Sequence, residues 1–305
     1  MPSPVHAAFD PQTFPESHFV LDCRGRSLDC RPGNATMEGA HVMGILNATP
    51  DSFSDGGVHL AVDDAVARAA EMLSEGATIL DVGGESTRPG ADPVDADTEC
   101  ERVVPVIEAL HQRFPRTLLS IDTYKPAVAK AALEAGAHIV NDVTGLRLHP
   151  ETATIAADAG APVIAMHSVN APGALTTPAA YEDVTDAVIE GLQTAIDTAT
   201  NAGVAHVVTD PGFGFGKSVT ENLRLVNTID RVLVLDRPVL IGVSRKSTIG
   251  AVLGTDKAPV GVHDRLFGSL GATAVAVMRG ATVVRTHDVA PTVEMLRVLN
   301  ATLNA

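Results

Sequence analysis

The chain has 305 residues, of which 45% are hydrophobic and only 3% aromatic, with no Trp. The core is therefore ample but must be packed by Val, Ile, Leu and Ala, as in the layers of a parallel barrel. A formal charge of -15 and a pI near 5.0 argue against a nucleic-acid surface, so an anionic ligand would need a local cationic pocket.

Residues 1–17 contain Pro and His without periodicity and read as a loose N-terminal tail. His18 to Cys30 alternates around Arg24-Gly25-Arg26, a short hairpin able to plug the bottom of a barrel. Strand and helix then alternate without a linker. Strands are expected at His41–Asn47, Thr78–Gly83, Thr117–Thr123 and His138–Val143, then at Pro162–His167, His206–Asp210, Pro238–Ser244 and Thr282–His287. The intervening helices are expected over residues 62–75, 97–114, 126–135, 151–159, 183–202, 219–234 and 263–279, with a last one over 289–299. Pro126 suits a helix start.

Five units share one punctuation: a glycine suited to a left-handed helix end, then a short apolar run, then a polar residue. They begin at Gly76, Gly136, Gly160, Gly203 and Gly280. Runs apolar on both faces fit a parallel sheet, and eight strand–helix units predict a single (β/α)8 TIM barrel over residues 18–305 with a short N-terminal extension. A doubly wound open sheet would stop at about five or six strands.

A polar residue at the end of strand after strand is how such a barrel builds an active site. The set is Asn47, Glu85 to Arg88, Asp122, Asn141, His167, Asp210, Lys246, Arg285 and His287. Asp122, Asn141 and Asp210 can read a donor–acceptor edge. Arg285 and His287, two apart on one strand, can both donate to an oxyanion at the strand where barrels often hold phosphate. Two loops rich in Gly, Pro, Ser and Asp, residues 47–57 and 83–91, are candidate lids.

Asp210-Pro211-Gly212-Phe213-Gly214-Phe215-Gly216-Lys217-Ser218 is not a phosphate loop, because Pro211 stands where its first glycine belongs. It reads as a flexible loop with Phe215 as an apolar wall, opening a helix near Ser218. No His-Glu-x-x-His is present, and His59, His111, His149, His206 and His263 show no ligand spacing. Cys23, Cys30 and Cys100 lack metal spacing and suit the reduced thiols of a cytoplasmic protein. No apolar run reaches the roughly 18 residues of a membrane span, and no signal-peptide pattern opens the chain. The acidic surface fits ordinary solubility or a high-salt host.

The stretches NATPDSFSDGG (47–57), DVGGESTRPGA (81–91), SIDTYKP (120–126) and AGAHIVNDVTG (135–145) resemble the dihydropteroate synthase family. DPGFGFGK (210–217), GVSRKSTIG (242–250) and RTHD (285–288) continue the resemblance in the family's order. The resemblance implies joining of 6-hydroxymethyl-7,8-dihydropterin pyrophosphate to p-aminobenzoate, giving 7,8-dihydropteroate and pyrophosphate, in a homodimer targeted by sulfonamides. It implies a pterin site of Asp122, Asn141, Met166, Asp210 and Lys246. Diphosphate and lid contacts fall to Asn47, Thr87, Arg88, Arg285 and His287, with Mg2+ at Asn47. Pro89, Phe215 and Ser247 border the aminobenzoate, and Asp122, Lys246 and Arg285 carry the catalysis. The chain departs from the family after His167, where Ser168-Val169-Asn170-Ala171-Pro172-Gly173 replaces a bulkier Gly-Pro stretch.

Two other functions share the scaffold. A pterin-dependent methyltransferase would not need diphosphate donors, and a non-catalytic pterin-binding paralogue would be expected to have lost Asp122, Lys246 or a lid motif.

Overall fold

The structure is a computed structural model that describes residues 10–33, 39–48, 57–86, 93–170, 177, 179–255 and 257–305. The first elements are helix α1 (Glu16–Phe19) and the strands β1 (Val20–Asp22) and β2 (Ser27–Asp29), which pair antiparallel. The repeating part follows as β3 (His41–Asn47), α2 (Gly57–Glu75), β4 (Ile79–Gly83), α3 (Ala96–Arg113), β5 (Leu118–Asp122), α4 (Pro126–Ala135), β6 (Ile139–Asp142) and α5 (Glu151–Asp158). It continues with β7 (Val163–Met166), α6 (Val184–Asn201), β8 (Val207–Asp210), α7 (Val219–Asn227), α8 (Ile229–Val232), β9 (Leu240–Ile241), α9 (Ser247–Leu253), α10 (Leu266–Met278), β10 (Val283–Thr286) and α11 (Val289–Leu303).

The eight-stranded sheet runs β8-β7-β6-β5-β4-β3-β10-β9, and every pair in it is parallel. A single parallel bridge, Thr209 to Val239, joins its two ends and closes the barrel. All five glycines of the repeated punctuation have positive φ, between 65° and 116°. A residue with a Cβ would be strained there, so each helix stops where the sequence announces it. Starts are equally local: Asp95 and Asp183 accept amides of the first turn, and Ser218 with Glu221 forms a reciprocal capping box on α7.

The core has two shells. Between barrel and helices lies a continuous layer dominated by Val, Ile, Leu and Ala. Inside the barrel, one residue from each strand forms a floor: Met43, Ile79, Leu118, Ile139, Ile164, Val208, Leu240 and Val283. Leu21, Cys23, Leu28 and Cys30 of the hairpin pack onto that floor from below, as a plug should. Arg24 and Arg26 fasten the plug by donating to the carbonyls of Leu133, Ala137, Thr117 and Pro115. Burial pushes the Cys23 thiol up to about 12, so it stays an inert packing group.

Of the expected tail, residues 1–9 lie outside the described residues, while Phe14 packs edge-on to Phe19 at 5.0 Å. Two expectations change. The helix expected over 219–234 breaks at Thr228, whose hydroxyl bonds Arg224 O and the Thr185 hydroxyl as the chain leaves helical geometry. The seventh barrel strand shrinks to Leu240–Ile241. Pro238 has no N–H to donate, and beyond Ile241 the chain turns through Arg245 at φ 59° to start α9. Among the described residues no helix is long and apolar enough to cross a membrane.

Candidate active site

Side chains two apart on a strand face the same way. Counting two up from the floor residues therefore names the next interior row: Asp81 above Ile79, Asn141 above Ile139, Met166 above Ile164, Asp210 above Val208 and Arg285 above Val283. Two further along come Asn47, Asp122, Ser244 and His287 at the C-terminal mouth. The pairing register sets Asn47 beside Gly83, Gly83 beside Asp122, and Asp122 beside Asn141, in one lateral row. An apolar floor thus gives way within two residues to a polar interior.

The groups in that interior are bonded to one another. Arg285 donates from Nε to Asp81 Oδ2 and from Nη2 to Asp122 Oδ2, both at 2.6 Å. Asn141 Nδ2 donates to the same Asp81 oxygen at 3.1 Å. Burial alone would depress the Arg285 guanidinium, but the Asp81 and Asp122 carboxylates hold it above its ordinary value, so it stays charged. Burial pushes Asp122 up to about 7, opposed by Arg285 and assisted by repulsion from Asp81. Asp210 is also raised by burial, against the pull of the Gly212 amide and Lys246. Burial and Arg285 bring Lys246 down to about 8, with Asp210 and Asp122 opposing. The Lys246 ammonium and the Asp122 carboxyl are therefore brought toward each other's range by burial, as groups at working sites often are.

Lys246 Nζ lies 3.7 Å from the centre of the Phe215 ring, which itself packs with Met166 and Val143. Expected pterin and aminobenzoate walls thus meet along one edge of the mouth. Ser247 is exposed at the first turn of α9, and Asn47 is half-buried at the end of β3. Thr87, Arg88 and Pro89, with residues 49–56 of the other candidate lid, lie outside the described residues.

The segment 210–217 is cross-braced, which corrects the expectation of a flexible loop. Lys217 is buried and donates to the carbonyls of Gly212, Phe215 and His167 at 2.9, 3.0 and 3.4 Å. Gly212 N donates to Asp210 Oδ1 at 2.7 Å, and Gly214 N to Asn222 Oδ1 at 2.7 Å. Gly212 has φ 70°, and a Cβ there would lie 2.1 Å from His167 O, so only glycine fits. Two other strand-end residues are engaged by contacts within the protein. His167 is buried against α6 and Tyr181, its ring centre 6.1 Å from the Tyr181 ring, and burial lowers it to about 3. Glu85 is taken by an ion pair with Lys125, which also binds Glu99.

Three residues were not singled out from the sequence. Asp81 closes one of the repeated apolar runs, and strand parity counted from Ile79 is the signal that places it inside the barrel. Ser244 carries no such mark, because its neighbour His287 is 43 residues away in sequence. Lys217 was legible only as part of a failed phosphate-loop pattern.

Similarity to known proteins agrees with this geometry. The chain is 44% identical over 287 residues to the dihydropteroate synthase of Escherichia coli (strain K12), covering 93% of this chain and 97% of that protein. A solved structure of Xanthomonas albilineans dihydropteroate synthase with 4-aminobenzoic acid superposes with a TM-score of 0.83 at 43% identity, covering 94% of this chain and 99% of the other. Another from the same organism, in complex with 7,8-dihydropteroate, gives a TM-score of 0.79 at 40% identity over 94% and 99%. The family model described as pterin binding enzyme matches residues 43–287, from the floor of the first barrel strand to the last mouth residue of the eighth, and the chain belongs to that family.

Proposed function

We propose that the chain is a dihydropteroate synthase, a transferase of folate biosynthesis that joins 6-hydroxymethyl-7,8-dihydropterin pyrophosphate to p-aminobenzoate. The observation that carries this reading is the buried and half-buried polar cluster of Asp81, Asp122, Asn141, Asp210, Lys246 and Arg285, in a chain 44% identical to a synthase over 287 residues.

In this reading Asp122, Asn141, Asp210 and Lys246 take the pterin edge, with Met166 beneath the ring. The carbon–oxygen bond to the diphosphate breaks, and its electron pair leaves with pyrophosphate. The p-aminobenzoate nitrogen supplies the pair for the new carbon–nitrogen bond and loses a proton. Positive charge develops on the pterin methylene as the bond opens, and the Asp122 carboxylate is the fixed negative group beside it. Such a path needs positioning and electrostatics rather than a protein nucleophile. Arg285, held by two carboxylates, and His287 meet the charge on the leaving group. Phe215 and Ser247, with Pro89, border the aminobenzoate; Thr87 and Arg88 are assigned diphosphate contacts.

The donor set suits magnesium. A hard cation that keeps several waters and binds substrate phosphates needs few protein oxygens, and the Asn47 side chain supplies one at the mouth, on the strand beside β10. When bound, the ion would neutralise charge on the departing diphosphate.

A homodimer is supported by the outer surface of α9, α10 and the segment between them. Phe267 is 83% exposed there, with Val252, Leu253, Val262 and Val275 also exposed. Phe267→Glu should give monomers in sedimentation velocity if this face pairs. Free thiols and the absence of any spanning helix among the described residues suit a cytoplasmic location.

Turnover tests the function directly: purified protein, both substrates and Mg2+, with dihydropteroate followed chromatographically. Folded protein that binds pterin but forms no dihydropteroate would refute it.

A further inference from the structure

We propose that Ser244 is a positioning residue that fixes His287 in one tautomer, with the proton on Nε2, so that it meets the leaving diphosphate as a neutral hydrogen-bond donor. The inference rests on the diphosphate role given to His287 above.

Two contacts define it. The His287 backbone N–H donates to Ser244 Oγ at 3.2 Å, and the same Oγ lies 3.1 Å from His287 Nδ1. The backbone amide can only donate, so Oγ accepts there. The hydroxyl has one proton, and Ser244 is buried. Donating that proton to Nδ1 satisfies both groups and leaves the ring's own proton on Nε2. The alternative, Nδ1–H donating to Oγ, would leave a buried hydroxyl proton without an acceptor, at a cost of about 1–3 kcal/mol.

The surroundings favour a neutral ring. Burial first, then Arg245, Arg285 and Lys246, drive His287 down to about 3, with only Asp288 opposing. A ring kept neutral there can still donate one hydrogen bond, provided its tautomer is right. The backbone is held to the same purpose. Arg245, next to Ser244, pairs through Nε with Asp288 Oδ2 at 3.0 Å, next to His287. Arg245 N donates to Ser269 Oγ at 3.1 Å, and Arg265 Nη1 to Arg245 O at 2.9 Å. Two adjacent cross-links therefore lock the segment after β9 to the segment after β10.

The test is a two-bond 1H–15N correlation spectrum of the histidine-labelled protein, with His287 assigned by His287→Gln. Wild type should show the Nε2–H pattern alone. Ser244→Ala should show a mixed pattern and bind magnesium pyrophosphate about tenfold more weakly by calorimetry, the lower end of what lost supporting contacts cost. Ser244→Thr, which keeps a hydroxyl, should restore both. In a His287→Gln background, where an amide N–H replaces Nε2–H, Ser244→Ala should change pyrophosphate affinity less than twofold. An Nδ1–H pattern in wild type, or an unchanged pattern in Ser244→Ala, overturns the proposal. So does a tenfold loss that persists in the Gln background. Unchanged pyrophosphate affinity in His287→Ala would instead remove the diphosphate role, while the tautomer stands or falls on the spectrum.

Discussion

Asp81 is the residue through which the two halves of the site are tied, and Asp81→Asn tests that tie. Its Oδ2 receives Arg285 Nε at 2.6 Å and Asn141 Nδ2 at 3.1 Å, and the side chain is fully buried. Removing one partner of a buried ion pair costs about 3–5 kcal/mol when the remaining charge is stranded. Here Arg285 keeps Asp122, and asparagine keeps one accepting oxygen, so the expected loss of stability is about 2–3 kcal/mol. Asp81→Ala removes the acceptor as well and should cost about 1–3 kcal/mol more, the penalty of a buried unpaired donor. Denaturant midpoints at constant m report both values. With Arg285 and Asn141 in the diphosphate and pterin roles proposed above, kcat/KM should fall about 10- to 100-fold in Asp81→Asn. A second consequence is specific to charge: Asp81 helps to raise Asp122, so the acidic limb of the kcat/KM profile should move to lower pH in the variant. Combining Asp81→Asn with Asn141→Ala should be non-additive by about 0.5–3 kcal/mol. An Asp81→Asn enzyme with wild-type stability and wild-type kcat/KM would refute the reasoning.

Three further outcomes are expected. The wild-type kcat/KM should be bell-shaped, rising through about 7 as Asp122 ionises and falling above about 8 as Lys246 loses its proton; the pair is read as apparent values, and a flat profile between pH 6 and 9 would contradict the assignment. Gly212→Ala, forced to hold φ 70° with its Cβ against His167 O, should lose about 2–4 kcal/mol and displace Asp210, which thermal unfolding and pterin titration would detect together. Acid stability follows from histidines kept neutral by burial. His138, His167 and His287 fall from 6.5 to about 4, 3 and 3, so below about 6.5 the unfolded chain binds protons that the folded chain refuses. Stability should drop as pH falls through that window, by at most about 1.4 kcal/mol per unit for each, and urea midpoints between pH 7 and 4.5 would measure it.

Much of this protein was written in local sequence. Helix ends followed from glycines that no other residue could replace cheaply, and strand positions from β-branched runs between them, because both are decided by a few neighbouring residues. The N-terminal plug was visible too, since its alternating residues could bury only one face. Asp122, Asn141, Asp210 and Arg285 are legible as site candidates from their place at strand ends, and Lys246 from its place in the segment beyond one. What each of them touches is not. Arg285 meets Asp81 across 204 residues and Asp122 across 163, so only closure of the barrel makes those charges neighbours. The same closure packed His167 against Tyr181, engaged Glu85 with Lys125, and placed Ser244 on His287. It also made Lys217 a brace for three carbonyls. Secondary structure is a short-range property and could be read residue by residue; hydrogen-bond partners and protonation states depend on burial and on charges brought together by the fold, and only the tertiary structure decides them.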